Sequence, residues 1–291
     1  MTTLVAAWTG AKKRLDAAGI DSPAIDARIL LEVAANVSRT EIVSDPYREL
    51  TPEQIATLDD YLERRSRREP VSHIVGKKGF WKIMLGVNSH VLTPRPDTEV
   101  IVDIVLAAYP EHQRFSFLDL GIGSGAIALA ILAERPAAQA LGIDISVEAL
   151  AVARDNAASL GLDGKLALLR GDWTAGLADA SFDLVVANPP YIATEEIETL
   201  DPEVRDHEPR LALDGGPDGL DPYRALAPEA LRVLKDDGLL AFEIGHTQAS
   251  AVSDLLRQAG AQDIRVHRDL AMRDRVVTAA KKPLGNRFPN R

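Results

Sequence analysis

The stretch "FDLVVANPPYIAT" (residues 182–194) runs an apolar, strand-like segment into Asn188-Pro189-Pro190-Tyr191. Proline has no N–H to give to a sheet and biases the residue before it away from helix. The segment therefore reads as a stiff, extended corner at a strand end, where a polar group is held still. Earlier in the chain, "FLDLGIGSGAIALAI" passes from strand through a glycine turn into a helix. Gly121, Gly123 and Gly125 permit tight backbone geometry and leave no Cβ in the way of a ligand. About twenty residues on, Asp144 ends the next strand-like run, where a carboxylate can accept hydrogen bonds from ribose hydroxyls. These residues alone leave the ligand open. Gly121-x-Gly123-x-x-Ala126 satisfies a loose dinucleotide fingerprint, so a nicotinamide enzyme fits, and so does a tight turn with no ligand at all. Asp119 either orients the glycine loop or reaches a cofactor.

The elements that carry these residues alternate from about residue 115. The runs "FSFLDLG", "AQALGIDIS", "KLALLRGD", "FDLVVANPP" and "GLLAFEIG" are short and rich in Val, Leu and Ile. Helical stretches such as "AIALAILAER" and "VEALAVARDNAASLG" separate the first three. That order predicts an α/β fold, a mainly parallel sheet with helices on both faces. Ligands of such sheets lie beyond the carboxyl ends of the strands, near the switch in strand order. The glycine loop follows the first strand and the Asn-Pro-Pro-Tyr corner follows the fourth, so the two motifs should meet there. "QDIRVHRD" and "RDRVVTAAK" are expected to pair antiparallel at the edge.

Residues 1–75 have a helical rhythm. In "SPAIDARILLEVAANVS", Ser22 is placed as N-cap and Pro23 at the first helical position, with Ile25, Ile29 and Val33 on one face. In "TPEQIATLDDYLERRSRRE", Thr51 and Gln54 fit a capping box, and Ile55, Leu58 and Leu62 follow the helical period. A small helical bundle is the economical reading. The cluster Arg64, Arg65, Arg67 and Arg68 lies in the last turns, either as a solvated face favoured by the helix dipole or as a docking patch for RNA or an acidic partner. Residues 76–95 suggest a β-hairpin linker. "TPRPDTEVIVDIVLAA" then turns from a proline-stiffened segment into a helix with Asp97 or Thr98 near its cap. The remaining domain spans 96–283, and the tail 284–291 lacks periodicity and is expected to be disordered.

Composition narrows the class. A formal charge of −10 argues against a chain built to coat nucleic acid, because phosphate contacts need clustered Lys and Arg. With no cysteine there is no disulfide framework, thiolate nucleophile or Cys-based zinc site. The six histidines are scattered and form no ligand-spaced pair, so no metal site is expected. In the opening "MTTLVAAWTGAKKRLDAAG" the basic residues follow the apolar stretch, the reverse of a signal peptide. No apolar run approaches membrane-spanning length. The expectation is a soluble, cytoplasmic protein.

The glycine loop combined with Asn188-Pro189-Pro190-Tyr191 resembles the amino-group methyltransferases that use S-adenosylmethionine. In that superfamily such a corner grips a planar NH2 group. An amide or arylamine nitrogen is a poor nucleophile, because its lone pair is delocalised into the neighbouring π system. Two acceptors, the Asn188 side-chain oxygen and the Pro189 carbonyl, could bind both N–H groups, aim the nitrogen at the methyl group and stabilise charge developing there. Tyr191 could form an aromatic wall against the planar group. The proton can leave after transfer, so no general base is required.

"VLTPRPDTE", "DLGIGSGAIALA", "GDW", "FDLVVANPPYI", "EPRLALDGGPDGLDPYR" and "LLAFEIG", together with the helical first domain, resemble the bacterial release-factor glutamine methyltransferases over most of the chain. The resemblance implies a class I S-adenosylmethionine-dependent methyltransferase domain, Rossmann-like with a seven-stranded sheet. It implies methyl transfer to the side-chain amide nitrogen of the glutamine in the Gly-Gly-Gln loop of class-I peptide-chain release factors, by a monomer with no direct nucleic-acid contact. By position, Gly121, Ile122, Gly123, Ser124, Gly125 and Asp144 would hold S-adenosylmethionine, with Trp173 beside the adenine. Asn188 would bridge cofactor and substrate, and Pro189, Pro190 and Tyr191 would line the glutamine pocket. Ile122 stands where the family often carries Thr, which leaves the backbone path intact. "TPRPDTE" would form part of the site's wall, and the long acidic connection at 193–223 reads as a lid or a merely solvated loop. The alternatives are a sibling enzyme acting on a ribosomal protein, an adenine-N6 nucleic-acid methyltransferase, which would need a basic groove or target-recognition domain, and a non-catalytic cofactor-binding module.

Overall fold

Proline at the first turn and a paired capping box start α4 (Pro52–Ser66): the Thr51 side chain accepts from the Gln54 N–H, and the Gln54 side chain accepts from the Thr51 N–H. The same device starts α3 (Arg39–Ser44), with Ser38 and Glu41. With α1 (Leu4–Ala17), α2 (Pro23–Ala35) and α5 (Val71–Val75), these helices close around Leu4, Leu15, Leu30, Leu31, Leu58 and Leu62. The computed structural model describes residues 2–283, so the expected disorder of the tail 284–291 lies outside the described residues.

The face assigned to α2 is corrected by the structure. Ile25 and Val33 are exposed, and the helix instead buries Asp26, Ala27, Leu30, Leu31 and Ala35. Asp26 can be buried because Arg65 reaches it at 2.8 Å, and a buried carboxylate needs such a partner. The arginine cluster is likewise not a free basic patch. Arg65 also meets Glu203 at 3.0 Å, Arg68 meets Glu203 at 3.0 Å, and Arg64 makes a fork with Glu69. Only Arg67, paired with Glu63 on the surface, is largely exposed. Glu203 belongs to α9 (Pro202–Arg205), part of the segment Asp201–His207 that the connection after the Asn-Pro-Pro-Tyr corner contributes to this helical unit.

The second unit holds residues 78–200 and 208–283 of the described chain. Its sheet is built from β3 (Ser116–Leu120), β4 (Gln139–Asp144), β5 (Leu166–Arg170), β6 (Phe182–Ala187), β7 (Leu234–Glu243), β8 (Gln262–Arg268) and β9 (Asp274–Ala280), in the order β5-β4-β3-β6-β7-β9-β8. The first five are parallel, and β9 pairs antiparallel with both β7 and the edge strand β8. β3, β6 and the second half of β7 are largely apolar because helices cover both faces of the sheet. On one face α6 (Glu99–Ala108), α7 (Ala126–Glu134) and α8 (Val147–Ser159) pack over Phe117, Leu184 and Val186. On the other, α10 (Asp221–Val233) and α11 (Ala249–Gln258) pack over Leu118, Val185 and Phe242.

The hairpin of β1 (Lys77–Phe80) and β2 (Ile83–Gly86) does more than link. Phe80 and Leu85 are buried in the same core as α6 and α7. The Asn156 side chain of α8 accepts from Gly86 N–H and donates to Gly86 C=O, at 2.7 and 3.0 Å.

Candidate active site

Register explains why the sequence motifs converge. Leu120 of β3 stands opposite Ile143 of β4 on one side and Ala187 of β6 on the other. The next residue in each strand is therefore level: Gly121 leaves the sheet between Asp144 and Asn188. Parallel strands order their ends this way only because the chain reverses its direction of sheet growth at β3, which opens a crevice there. A cavity of about 430 Å³ occupies it, within the range of roughly 300–1,000 Å³ usual for small-molecule sites.

Gly121, Ile122, Gly123, Ser124, Asp144, Trp173, Asn188 and Pro190 all line this cavity. Gly121 and Gly123 have φ of +72° and +55°, conformations that favour glycine. Asp144 is held by the loop it faces: Gly123 N–H donates to Oδ2 at 2.9 Å and Ser146 N–H to Oδ1 at 3.0 Å. Each carboxylate oxygen keeps a lone pair for a further donor. Ile122 turns away from solvent over Gly142 of β4, which has no room for a Cβ beneath it. An apolar residue therefore suits position 122.

Gly125, Pro189 and Tyr191 do not line the cavity. Gly125 is needed for packing, since with φ of +83° a Cβ there would come within 2.9 Å of Leu129. Tyr191 corrects the expectation of an aromatic wall. Its ring packs against the core under α10 and α11, and its hydroxyl donates to Glu243 at 3.4 Å. Burial and the neighbouring Glu243 carboxyl push its ionisation above the usual tyrosine range.

Asp119 is structural. It is 1% exposed, absent from the cavity wall, and accepts from Ala128 N–H at 3.1 Å, tying the start of α7 to β3. Burial above all, with Asp144 adding repulsion, pushes its pKa up to about 7 against a lower value from the Ala128 bond. Between the unfolded value of 3.8 and about 7 the folded state holds a proton that the unfolded state has lost. Stability should therefore fall as pH rises through that window and level off above it. Asp119→Asn keeps the acceptor for Ala128 without the titration. Melting at pH values from 5 to 8, relative to wild type, should show the variant gaining as pH rises; parallel curves would contradict this assignment.

Several wall residues had no individual signal in the sequence. Pro94, Arg95 and Thr98 come from the "TPRPDTE" segment, and Pro209, Leu211, Ala212 and Asp214 from the long connection. The two segments are tied together, because Arg95 pairs at 2.7 Å with Glu208, whose side chain is buried. The connection is thus more than a solvated loop. Its acidity is met locally, by Arg210 with Glu198 and Asp214 and by Arg224 with Asp218 and Asp221.

The "GGPDG" turn clamps the Asn-Pro-Pro-Tyr corner through backbone contact. A Cβ on Gly215 would stand 2.9 Å from the Pro190 carbonyl, and one on Gly219 would overlap the Tyr191 carbonyl. Gln248 completes the clamp by donating to Tyr191 C=O at 2.9 Å and Gly219 C=O at 3.1 Å.

Residues 6–76 match the PrmC N-terminal domain and residues 98–204 the methyltransferase small domain. A solved methyltransferase from Pyrococcus furiosus superposes with a TM-score of 0.50 at 15% identity, over 68% of this chain and 90% of its own, a likeness of fold. The release factor glutamine methyltransferase of Rhodospirillum rubrum is 43% identical over 94% of this chain and 83% of its own length. That of Caulobacter vibrioides is 70% identical over 97% of this chain and 98% of its own. A match of that extent spans nearly the whole chain, helical unit and methyltransferase domain alike, and the chain belongs to the release factor glutamine methyltransferase family.

Proposed function

We propose that this chain methylates the side-chain amide nitrogen of the glutamine in the Gly-Gly-Gln loop of class-I peptide-chain release factors, with S-adenosylmethionine as donor. The observation that carries the reading is the level placement of Gly121 and Asn188 on adjacent strands, both facing one cavity. Gly121 to Ser124 would lie along the cofactor, the Asp144 carboxylate would accept from its ribose hydroxyls, and Trp173 would pack beside the adenine. The pair of open glycines and the half-used carboxylate fit such a nucleoside. Bound there, the cofactor supplies a methyl group activated by a sulfonium.

The chain's own part is to hold the amide. Asn188 Oδ1 accepts from an N–H bond of the substrate amide, which turns its nitrogen toward the methyl and disperses positive charge as the N–C bond forms and the bond from that methyl to the sulfonium breaks. The nitrogen then loses one proton to solvent. Pro190 forms the wall of the glutamine pocket, and Tyr191 supports the corner from behind.

The helical unit selects the protein substrate, and the enzyme works as a cytoplasmic monomer. Among the described residues no helix is long and apolar enough to cross a membrane. The test is incubation of labelled cofactor with a release factor and with its Gln-to-Ala loop variant. Label in the first and none in the second is expected; equal labelling would overturn the reading. A truncated chain beginning at Lys78, which retains Phe80 and Leu85, should bind cofactor normally but methylate release factor at least about tenfold more slowly. Full activity in that chain would remove the helical unit from substrate selection.

A further inference from the structure

The turn between β8 and β9 carries two side chains that the core does not account for. Leu270 is fully exposed and Met272 is 68% exposed. Met272 also has a φ of +61°, a left-handed conformation that glycine adopts freely and that costs a residue with a Cβ. A glycine would ease the backbone there, yet the position holds a large apolar side chain in water. The turn itself is firmly built. Asp269 N–H donates to the Arg273 carbonyl and Met272 N–H to the Asp269 carbonyl, each at 2.9 Å. The buried Asp269 side chain accepts from Arg273 N–H at 3.0 Å and faces the Arg275 guanidinium at 3.4 Å. Apolar side chains on so fixed a turn have little backbone freedom left to lose when a partner covers them.

Register places this turn at the edge of the sheet that holds the site. Ala187 of β6 stands opposite Phe242 of β7, and Glu243 stands opposite Val276 of β9, so Asn188, Glu243 and Val276 are level. Because β9 runs antiparallel to β7, the turn before it rises beyond the edge at which Asn188 stands. β9 is two strands away from β6, about 10 Å at the usual spacing. Arg275 ties the turn to the cavity wall, since its guanidinium also pairs at 3.1 Å with Asp97, the neighbour of cavity-lining Thr98. A glutamine that reaches Asn188 brings the protein loop carrying it to this same edge, and about three residues of extended chain cover the distance to β9. We propose that Leu270 and Met272 are a docking point for the protein substrate, seated against an apolar part of the release factor surface beside its Gly-Gly-Gln loop. This inference rests on the proposed reading of a release factor as the substrate.

The test uses the full chain and single-turnover methylation at increasing release factor, with cofactor affinity by calorimetry and thermal melting alongside. Leu270→Ser combined with Met272→Ser should raise the half-saturating release factor concentration by at least about tenfold. The maximal rate and the affinity for S-adenosylmethionine should stay within about threefold of wild type, because neither residue lines the cavity. Leu270→Met keeps an apolar surface and should stay within about threefold in every respect. Met272→Gly separates fold from docking: melting should be unchanged or higher, while half-saturation moves up. The chain has no cysteine, so Leu270→Cys accepts a single environment-sensitive dye. The Gln-to-Ala release factor should shift its emission, and should leave unchanged a dye on Leu169→Cys, exposed on the far edge strand β5. Half-saturation within about threefold of wild type in the serine double variant, or a loss confined to its maximal rate, would overturn the proposal. Self-association of the wild type that the double variant abolishes would assign the turn to a second copy of the chain, and also overturn it. No methylation by the wild type would instead remove the functional reading itself.

Discussion

Asn188→Ala should fold as the wild type does and lose nearly all turnover. Asn188 follows the last residue of β6, is half-buried, and its side-chain partner is Thr98, so its removal costs the core little. What it removes is one preorganised acceptor for the reacting amide. Deleting a single group of that kind typically raises the barrier by about 2.7–4 kcal/mol, a hundred- to thousandfold in rate. Asn188→Asp is the finer comparison. It preserves an acceptor at the same place and adds a negative charge near the expected sulfonium, so it should keep more activity than Ala. It also sets a carboxylate oxygen against the Thr98 oxygen, to which Asn188 Nδ2 donates in the wild type. Single-turnover methylation of a release factor, with melting and cofactor affinity beside it, distinguishes these cases. An Ala variant that methylates at nearly the wild-type rate would reduce the corner to a structural turn.

Asp144→Ala should show its loss in binding. The carboxylate is already oriented by Gly123 and Ser146, so no ordering remains to be done when a ribose hydroxyl arrives. Hydrogen bonds to a charged group contribute about 1.5–3 kcal/mol, so the dissociation constant for S-adenosylmethionine should rise by roughly ten- to 150-fold. Part of that loss will come through the glycine loop, because Gly123 N–H loses its acceptor too. Calorimetry is the direct measurement. An affinity within about threefold of wild type would mean that the loop and Trp173 hold the nucleoside without this carboxylate.

The residues that were legible in the sequence share a property: their role is local. Gly121 and Gly123 need positive φ whatever lies around them, Asn188-Pro189-Pro190-Tyr191 is a stiff corner by covalent constraint, and Thr51 with Gln54 forms a capping box within one turn. The alternation of apolar runs with helical stretches gave the parallel sheet, because strands covered on both faces have to be apolar throughout. The family resemblance supplied substrate and cofactor, which periodicity could not.

Tertiary structure decided whatever depended on partners distant in the chain. Ile25 and Val33 satisfy a helical period, but the bundle closes on the opposite side of α2, where Asp26 can meet Arg65. The arginines of α4 look like a basic patch until Glu203, more than a hundred residues later, is placed against two of them. Tyr191 belongs to a motif yet turns inward, because the buried carboxyl of Glu243 offers its hydroxyl an acceptor there. Thr98 lies in "TPRPDTE", yet only the folded chain shows that its hydroxyl faces Asn188. That contact arises only when the end of β6 and the start of α6 are brought side by side, since a hydrogen bond between residues distant in the chain is a property of three-dimensional proximity.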